Sequence, residues 1–144
     1  MELLIKLIAK LPLGVLRKIG RIIGVLIYRC SSSYRRQIER NLTRAGIFTP
    51  ELALEVAREQ GAQAVEAPWV WGRDRHDVLA LTRCDEKSRQ LVQEVMDSQS
   101  PIVFLTPHIG CYEVAPIYVA HHWLESLNKN MAILYRVPRK SYLR

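Results

Sequence analysis

Residues 102–113 read Ile-Val-Phe-Leu-Thr-Pro-His-Ile-Gly-Cys-Tyr-Glu, and the reading of the first four decides the fold. Ile102 to Leu105 is a short, continuous apolar run rich in β-formers, the pattern of a strand buried on both faces. Residues from about Tyr112 to Leu127 carry a helical pattern, and Asn128-Lys129-Asn130 reads as a turn. Met131 to Tyr135 is a second apolar run, ended by Pro138. Strand, helix, strand predicts a βαβ unit with parallel pairing and a right-handed crossover. Two parallel strands make a very small sheet with open edges, so further strands are expected after Arg144. The expected class is α/β: N-terminal amphipathic helices, then the opening βαβ unit of an incomplete sheet.

Upstream, the spacing predicts helices. Residues 2–28 read as two amphipathic pieces split at Pro12. Lys6 and Lys10 lie one turn apart, and Arg17 and Arg21 repeat that spacing. Val15, Ile19, Ile22 and Leu26 share a face at spacings of three and four. Such a helix suits a membrane interface, its basic side chains meeting anionic head groups, or the core of a domain with a solvated basic face. Ser31 to Ser33 offer an N-cap, and Tyr34 to Arg44 reads as a short basic helix. Thr49-Pro50-Glu51 starts another, expected to end near Glu66. Pro68 and Gly72 bracket Trp69 and Trp71, which suit either a bilayer surface or a partly buried core. Asp85 caps a further helix carrying Leu91, Val92, Val95 and Met96.

Charge separates the two ends of the chain. Residues 1–44 hold ten Lys/Arg against two acidic side chains, whereas residues 45–144 hold eleven against twelve. A basic arm of this kind meets nucleic acid, anionic lipid or an acidic protein. The Tyr34–Arg44 stretch lacks the aromatic interleaving of a nucleic-acid binder, and no nucleic acid is expected as a partner. Cys30, Cys84 and Cys111 are odd in number and widely spaced, which argues against a disulfide framework or a zinc site. Charges interrupt the N-terminal apolar residues throughout, so neither a cleavable signal nor a spanning helix is expected. The chain divides into a membrane-associating helical segment, residues 1–30, and a partial catalytic domain, residues 31–144.

The chemistry is expected just past the first apolar run. Ligands of open α/β sheets gather at the carboxyl ends of strands, where His108 falls. Gly110 allows a tight turn, and Glu113 falls in the first turn of the next helix. A carboxylate beside one imidazole nitrogen fixes the tautomer and leaves the other nitrogen to take a proton from an alcohol. A structural role for this pair is the alternative. Cys111 raises a thiol-nucleophile mechanism, disfavoured because only two residues separate it from His108. A zinc site on the same side chains lacks an evident fourth ligand. His121 and His122 diverge if helical. Arg136, Arg139, Lys140 and Arg144 form a basic cluster that suits phosphate groups or an acidic carrier protein, or a solvated loop.

The segment FLTPHIGCYE with the later ILYRVPRKSYLR resembles the lipid A biosynthesis lauroyl/myristoyl acyltransferases of the lysophospholipid acyltransferase superfamily. A hydrophobic basic N-terminus and an RRQIERNL helix fit as well, so the resemblance covers nearly the whole chain. It implies a glycerolipid-acyltransferase-like sheet, with His108 as general base and Glu113 as its partner. Arg136 then holds acidic parts of substrate or donor; Arg139 and Lys140 are substrate-binding candidates from the basic cluster alone, without a family match. The implied reaction moves a fatty acyl chain from acyl carrier protein to a hydroxyl of a lipid A precursor or related lipid. It takes place at the cytoplasmic face of the inner membrane. Membrane lipids and acyl carrier protein are the implied partners. No metal or organic cofactor is implied beyond the carrier's own phosphopantetheine arm. Many members have Asn-Trp where this chain has Cys111-Tyr112, which leaves acyl-chain and acceptor choice open. Members are also longer, so a truncated chain, inactive by itself, is expected.

Overall fold

The computed structural model describes residues 2–98, 100–106 and 110–134. Every regular element among them is helical: α1 (Glu2–Lys10), α2 (Leu13–Cys30), α3 (Ser32–Arg44), α4 (Pro50–Gly72), α5 (Arg75–Ala80), α6 (Glu86–Asp97) and α7 (Val114–Val119), followed by a π-helical turn (Ala120–Leu124). The chain forms two compact units, one of residues 1–83 with 105–114, the other of residues 84–104 with 115–144.

In the first unit α2 and α4 make the most extensive contact, and its cause is the small residues they share. Gly20 and Gly24 lie one turn apart on α2, facing Ala57, Gly61 and Ala62 of α4. A Cβ added at Gly20, Gly24 or Gly61 would sit under 3.0 Å from backbone atoms of the other helix. The two backbones therefore touch directly, the packing that repeated small residues permit. Ala53 and Ala57 are fully buried and form a core with Ile38 of α3, flanked by Tyr28, Tyr34, Leu42 and Val56. Ion pairs run beside this seam. Arg17 pairs with Glu59 at 3.2 Å and with the buried Glu66, and Arg21 pairs with Glu59.

Local signals set the helix ends. Ser31, Thr49, Asp74 and Asp85 each accept a hydrogen bond from a backbone N–H in the first turn of the next helix. The expected end of α4 near Glu66 is wrong, since the helix continues through Pro68 to Gly72. Proline removes one ladder bond there, and tertiary contacts hold the remainder. Trp69 is buried and its indole N–H donates to the Leu11 carbonyl at 3.0 Å. Gly72 lies against Ile5 and Ala9 of α1, with no room for a side chain.

The second unit is built around α6 and the α7–π-turn segment. Met96, Tyr118, Trp123 and Leu124 are buried among its described residues. Arg89 donates to the Tyr118 hydroxyl at 2.9 Å, and the Trp123 indole donates to Gln93 at 2.8 Å.

The expected α/β class is overturned here. Residues 102–105 and 131–134 hold no strand, and no sheet exists among the described residues. The intervening segment is helical in part, as its pattern predicts, but it crosses over nothing. Val103 is 83% exposed and Leu134 is 99% exposed. A parallel strand pair needs neighbouring strands and cover on both faces. The runs at 102–105 and 131–134 have no neighbouring strand among the described residues, and most of their side chains stay exposed. A βαβ unit, and with it a glycerolipid-acyltransferase-like sheet, is not found among the described residues.

Candidate functional site

Of the residues expected to carry chemistry, the structure describes Glu113 and Cys111. His108, Arg136, Arg139 and Lys140 lie outside the described residues. The segment around Glu113 belongs to the first unit and is tied to α4, whose Gln63 side-chain amide donates to the Gly110 carbonyl at 2.6 Å. Gly110 takes φ +66°, the left-handed conformation that glycine adopts without strain. The chain then tightens through bonds from Tyr112 N–H to the Gly110 carbonyl and from Val114 N–H to the Cys111 carbonyl. Glu113 thus stands just before α7, half-buried.

The Glu113 carboxylate has a partner already, since the Cys111 thiol donates to Oε2 at 3.4 Å. Burial first, and then that hydrogen bond and the negative charge of Glu113, push the Cys111 thiol up to about 11. A thiol nucleophile needs the opposite shift, toward thiolate at neutral pH. The geometry therefore argues against Cys111 as attacking group and gives Glu113 a hydrogen-bond donor on one of its oxygens. The charge of Glu113 also raises the neighbouring Tyr112 phenol. In the second unit His121 contacts Glu125 through Nδ1 at 3.3 Å, and the His122 ring lies 4.2 Å from that of Tyr118. Burial and the adjacent His121 lower the pKa of His122.

The most extensive row of exposed apolar side chains is on α2. Leu16, Gly20 and Gly24 face α4, while Val15, Ile19, Ile22 and Leu26 form a ridge on the other side and are exposed. Ile23, Ile27, Leu7 and Leu11 are exposed as well. Helical spacing puts Lys18 and Arg29, both exposed, along one flank of the ridge. Arg17 and Arg21, expected to meet head groups, instead bond the glutamates of α4. No helix among the described residues is long and apolar enough to cross a membrane.

Sequence reasoning found the amphipathic face but missed its division of labour among the arginines. A signal was present: Arg17 and Arg21 are four apart, Glu59 and Glu66 seven apart, so each pair lies on one helix face. It also missed Gln63, which nothing in its local sequence marks. No protein-family model matches the chain, and no curated protein or solved structure proves similar to it.

Proposed function

We propose that this chain works at a membrane surface as part of an O-acyltransferase. In this reading it moves a fatty acyl chain from acyl carrier protein to a hydroxyl of a lipid A precursor or related lipid. The observation that carries the membrane part is the ridge of Val15, Ile19, Ile22 and Leu26, exposed along a helix whose opposite side is packed against α4. Soluble surfaces seldom keep such a row in water. An in-plane helix with lysine and arginine on its flank sinks its apolar side to the acyl boundary and keeps the charges at the head groups.

The chemical part rests on the sequence block His108-x-x-x-x-Glu113. His108 acts as general base toward the acceptor hydroxyl. Glu113, steadied by the Cys111 thiol, orients the imidazole. The hydroxyl oxygen attacks the thioester carbonyl, its proton passes to the imidazole, and the carrier thiol leaves with that proton. Arg136, with Arg139 and Lys140, takes acidic parts of donor or acceptor. The place of work is the cytoplasmic face of the inner membrane.

A second reading, a membrane-binding protein without turnover, draws on the Glu113 carboxylate being engaged by Cys111 rather than waiting for a base. The two are separated by transfer from labelled acyl carrier protein into a lipid acceptor, using membranes that express the whole coding frame. The acyltransferase reading expects transfer that disappears in His108→Ala. Full transfer by that variant contradicts the dyad, and vesicle binding with no transfer by the unmodified protein establishes the second reading.

A further inference from the structure

The face of α3 turned away from the core carries an open cleft of about 510 Å³. Ser33, Arg36, Gln37, Arg40 and Thr43 line it along the helix, and Phe48 walls it from the loop that follows. That loop returns toward α3 because Gly46 adopts φ +72°. Ile38, on the opposite side of the helix, is buried against Ala53 and Ala57, so the cleft face is rigidly presented.

The charges in the cleft are not balanced from within. Arg36 and Arg40 lie one turn apart, and neither has a carboxylate partner among the described residues, whereas Arg17, Arg21, Arg58 and Arg73 all do. Glu39 also borders the cleft, but its carboxylate accepts the Tyr28 hydroxyl at 3.0 Å. The Thr43 hydroxyl donates to the Glu39 carbonyl at 2.8 Å, which leaves the Ser33 hydroxyl and the Gln37 amide as neutral donors.

We propose that this cleft binds a phosphate monoester, held by Arg36 and Arg40 with Ser33 and Gln37, with Phe48 against the group that the phosphate carries. Two planar forks one turn apart offer more donors than a carboxylate can accept, whereas a tetrahedral phosphate has oxygens for both. Phosphate on a lipid head group is the source we favour, and that choice rests on the membrane reading above; the phosphate chemistry does not. A nucleic acid fits less well, because the cleft offers a single aromatic side chain and spans only about three helical turns.

The test uses the full chain and four probes: phosphatidylcholine vesicles, the same vesicles containing phosphatidic acid, glycerol 3-phosphate and a single-stranded RNA. The protein is expected to bind the phosphatidic acid vesicles about tenfold more tightly than phosphatidylcholine alone. R36Q/R40Q should lose that gain and keep phosphatidylcholine binding. R36K/R40K should lose most of it, since point charges do not replace the forks. R44Q/K87Q, with the same charge change outside the cleft, should keep it. Glycerol 3-phosphate binding that R36Q/R40Q abolishes also supports the site, and binding as tight as to the lipid assigns a soluble ester as its ligand. Equal losses in R36Q/R40Q and R44Q/K87Q would show diffuse charge and overturn the proposal. So would the absence of both gains, or RNA binding tighter than either phosphate probe. Phosphatidylcholine binding reports on the ridge alone, so failure of the membrane reading is seen separately.

Discussion

In the first unit the exposed leucines, isoleucines and valines of α2 fall along its outer side, while in the second they are scattered, with Leu91 and Val95 on α6 and Val103, Ile133 and Leu134 outside any helix. The first unit buries what it can through a seam of glycine and alanine between α2 and α4, and the residues left outside form an ordered row. The second buries Met96, Tyr118, Trp123 and Leu124 between helices and leaves its β-forming runs without neighbours. Exposed apolar surface therefore means different things in the two units. On α2 it is a patterned face beside a fixed backbone, the sort of surface a partner uses. On residues 102–104 and 131–134 it is pattern without structure.

The largest effect should come from the seam. Gly61→Val places branched carbons where a Cβ alone already meets the α2 backbone, so the helices must separate. A loss of about 3 kcal/mol or more is expected in urea unfolding, with Gly24→Val behaving alike. Gly14→Ala, where nothing lies within 4 Å, should instead stabilise by about 0.5–1 kcal/mol. Equal responses at Gly14 and Gly61 would remove the distinction between seam and surface.

The next contrast sets a half-buried ion pair against a neutral bond of the second unit. Glu66→Ala strips the buried partner of Arg17 but leaves Glu59, so about 2 kcal/mol is expected. Gln93→Ala leaves the Trp123 ring in place and removes the acceptor of its indole N–H, about 1 kcal/mol. A Glu66→Ala variant as stable as the parent would mean that the seam holds by shape alone.

The smallest effect concerns the thiol. With its pKa raised from 9.0 to about 11, Cys111 stays protonated to higher pH in the folded chain than in the unfolded one. The folded state thus holds more protons between those values, and stability should decline slightly as pH rises from about 9 to 11. Cys111→Ser should show a shallower decline, since the raised Tyr28, Tyr34 and Tyr112 phenols still contribute to it. At pH 8 only about one Cys111 in a thousand is thiolate, so alkylation should be slow, and Glu113→Gln should speed it. Fast alkylation of Cys111 in the unmodified chain would return the thiol to the list of nucleophiles.

Much of the helical part was readable in advance. Pro12 splits α1 from α2, and Ser31, Thr49 and Asp85 cap as expected, because caps and periodicity are local properties. The end of α4 was not readable, because Trp69 and Gly72 find their partners on a segment about sixty residues earlier. The sheet was misread for a related reason. Ile102–Leu105 and Met131–Leu134 carry strand composition, but β-propensity is a preference for a neighbour, and pairing is decided by what lies alongside. For the site, Gly110 turns the chain as expected. Glu113, expected in the first turn of the next helix, instead stands just before α7, and the proximity of Cys111 to it was read only as a rival mechanism. The ion pairs of Arg17 and Arg21 needed two helices brought together before their charge could be assigned.

The account depends most on the outer side of α2 meeting lipid. Flotation of the chain with phosphatidylcholine vesicles, comparing the parent with Ile22→Glu/Leu26→Glu, tests this without reference to charge or turnover. Removing two apolar anchors at about 1.5 kcal/mol each should weaken binding about a hundredfold, while the far-UV circular dichroism stays helical. Undiminished flotation by the double variant, or no flotation by the parent, would contradict it.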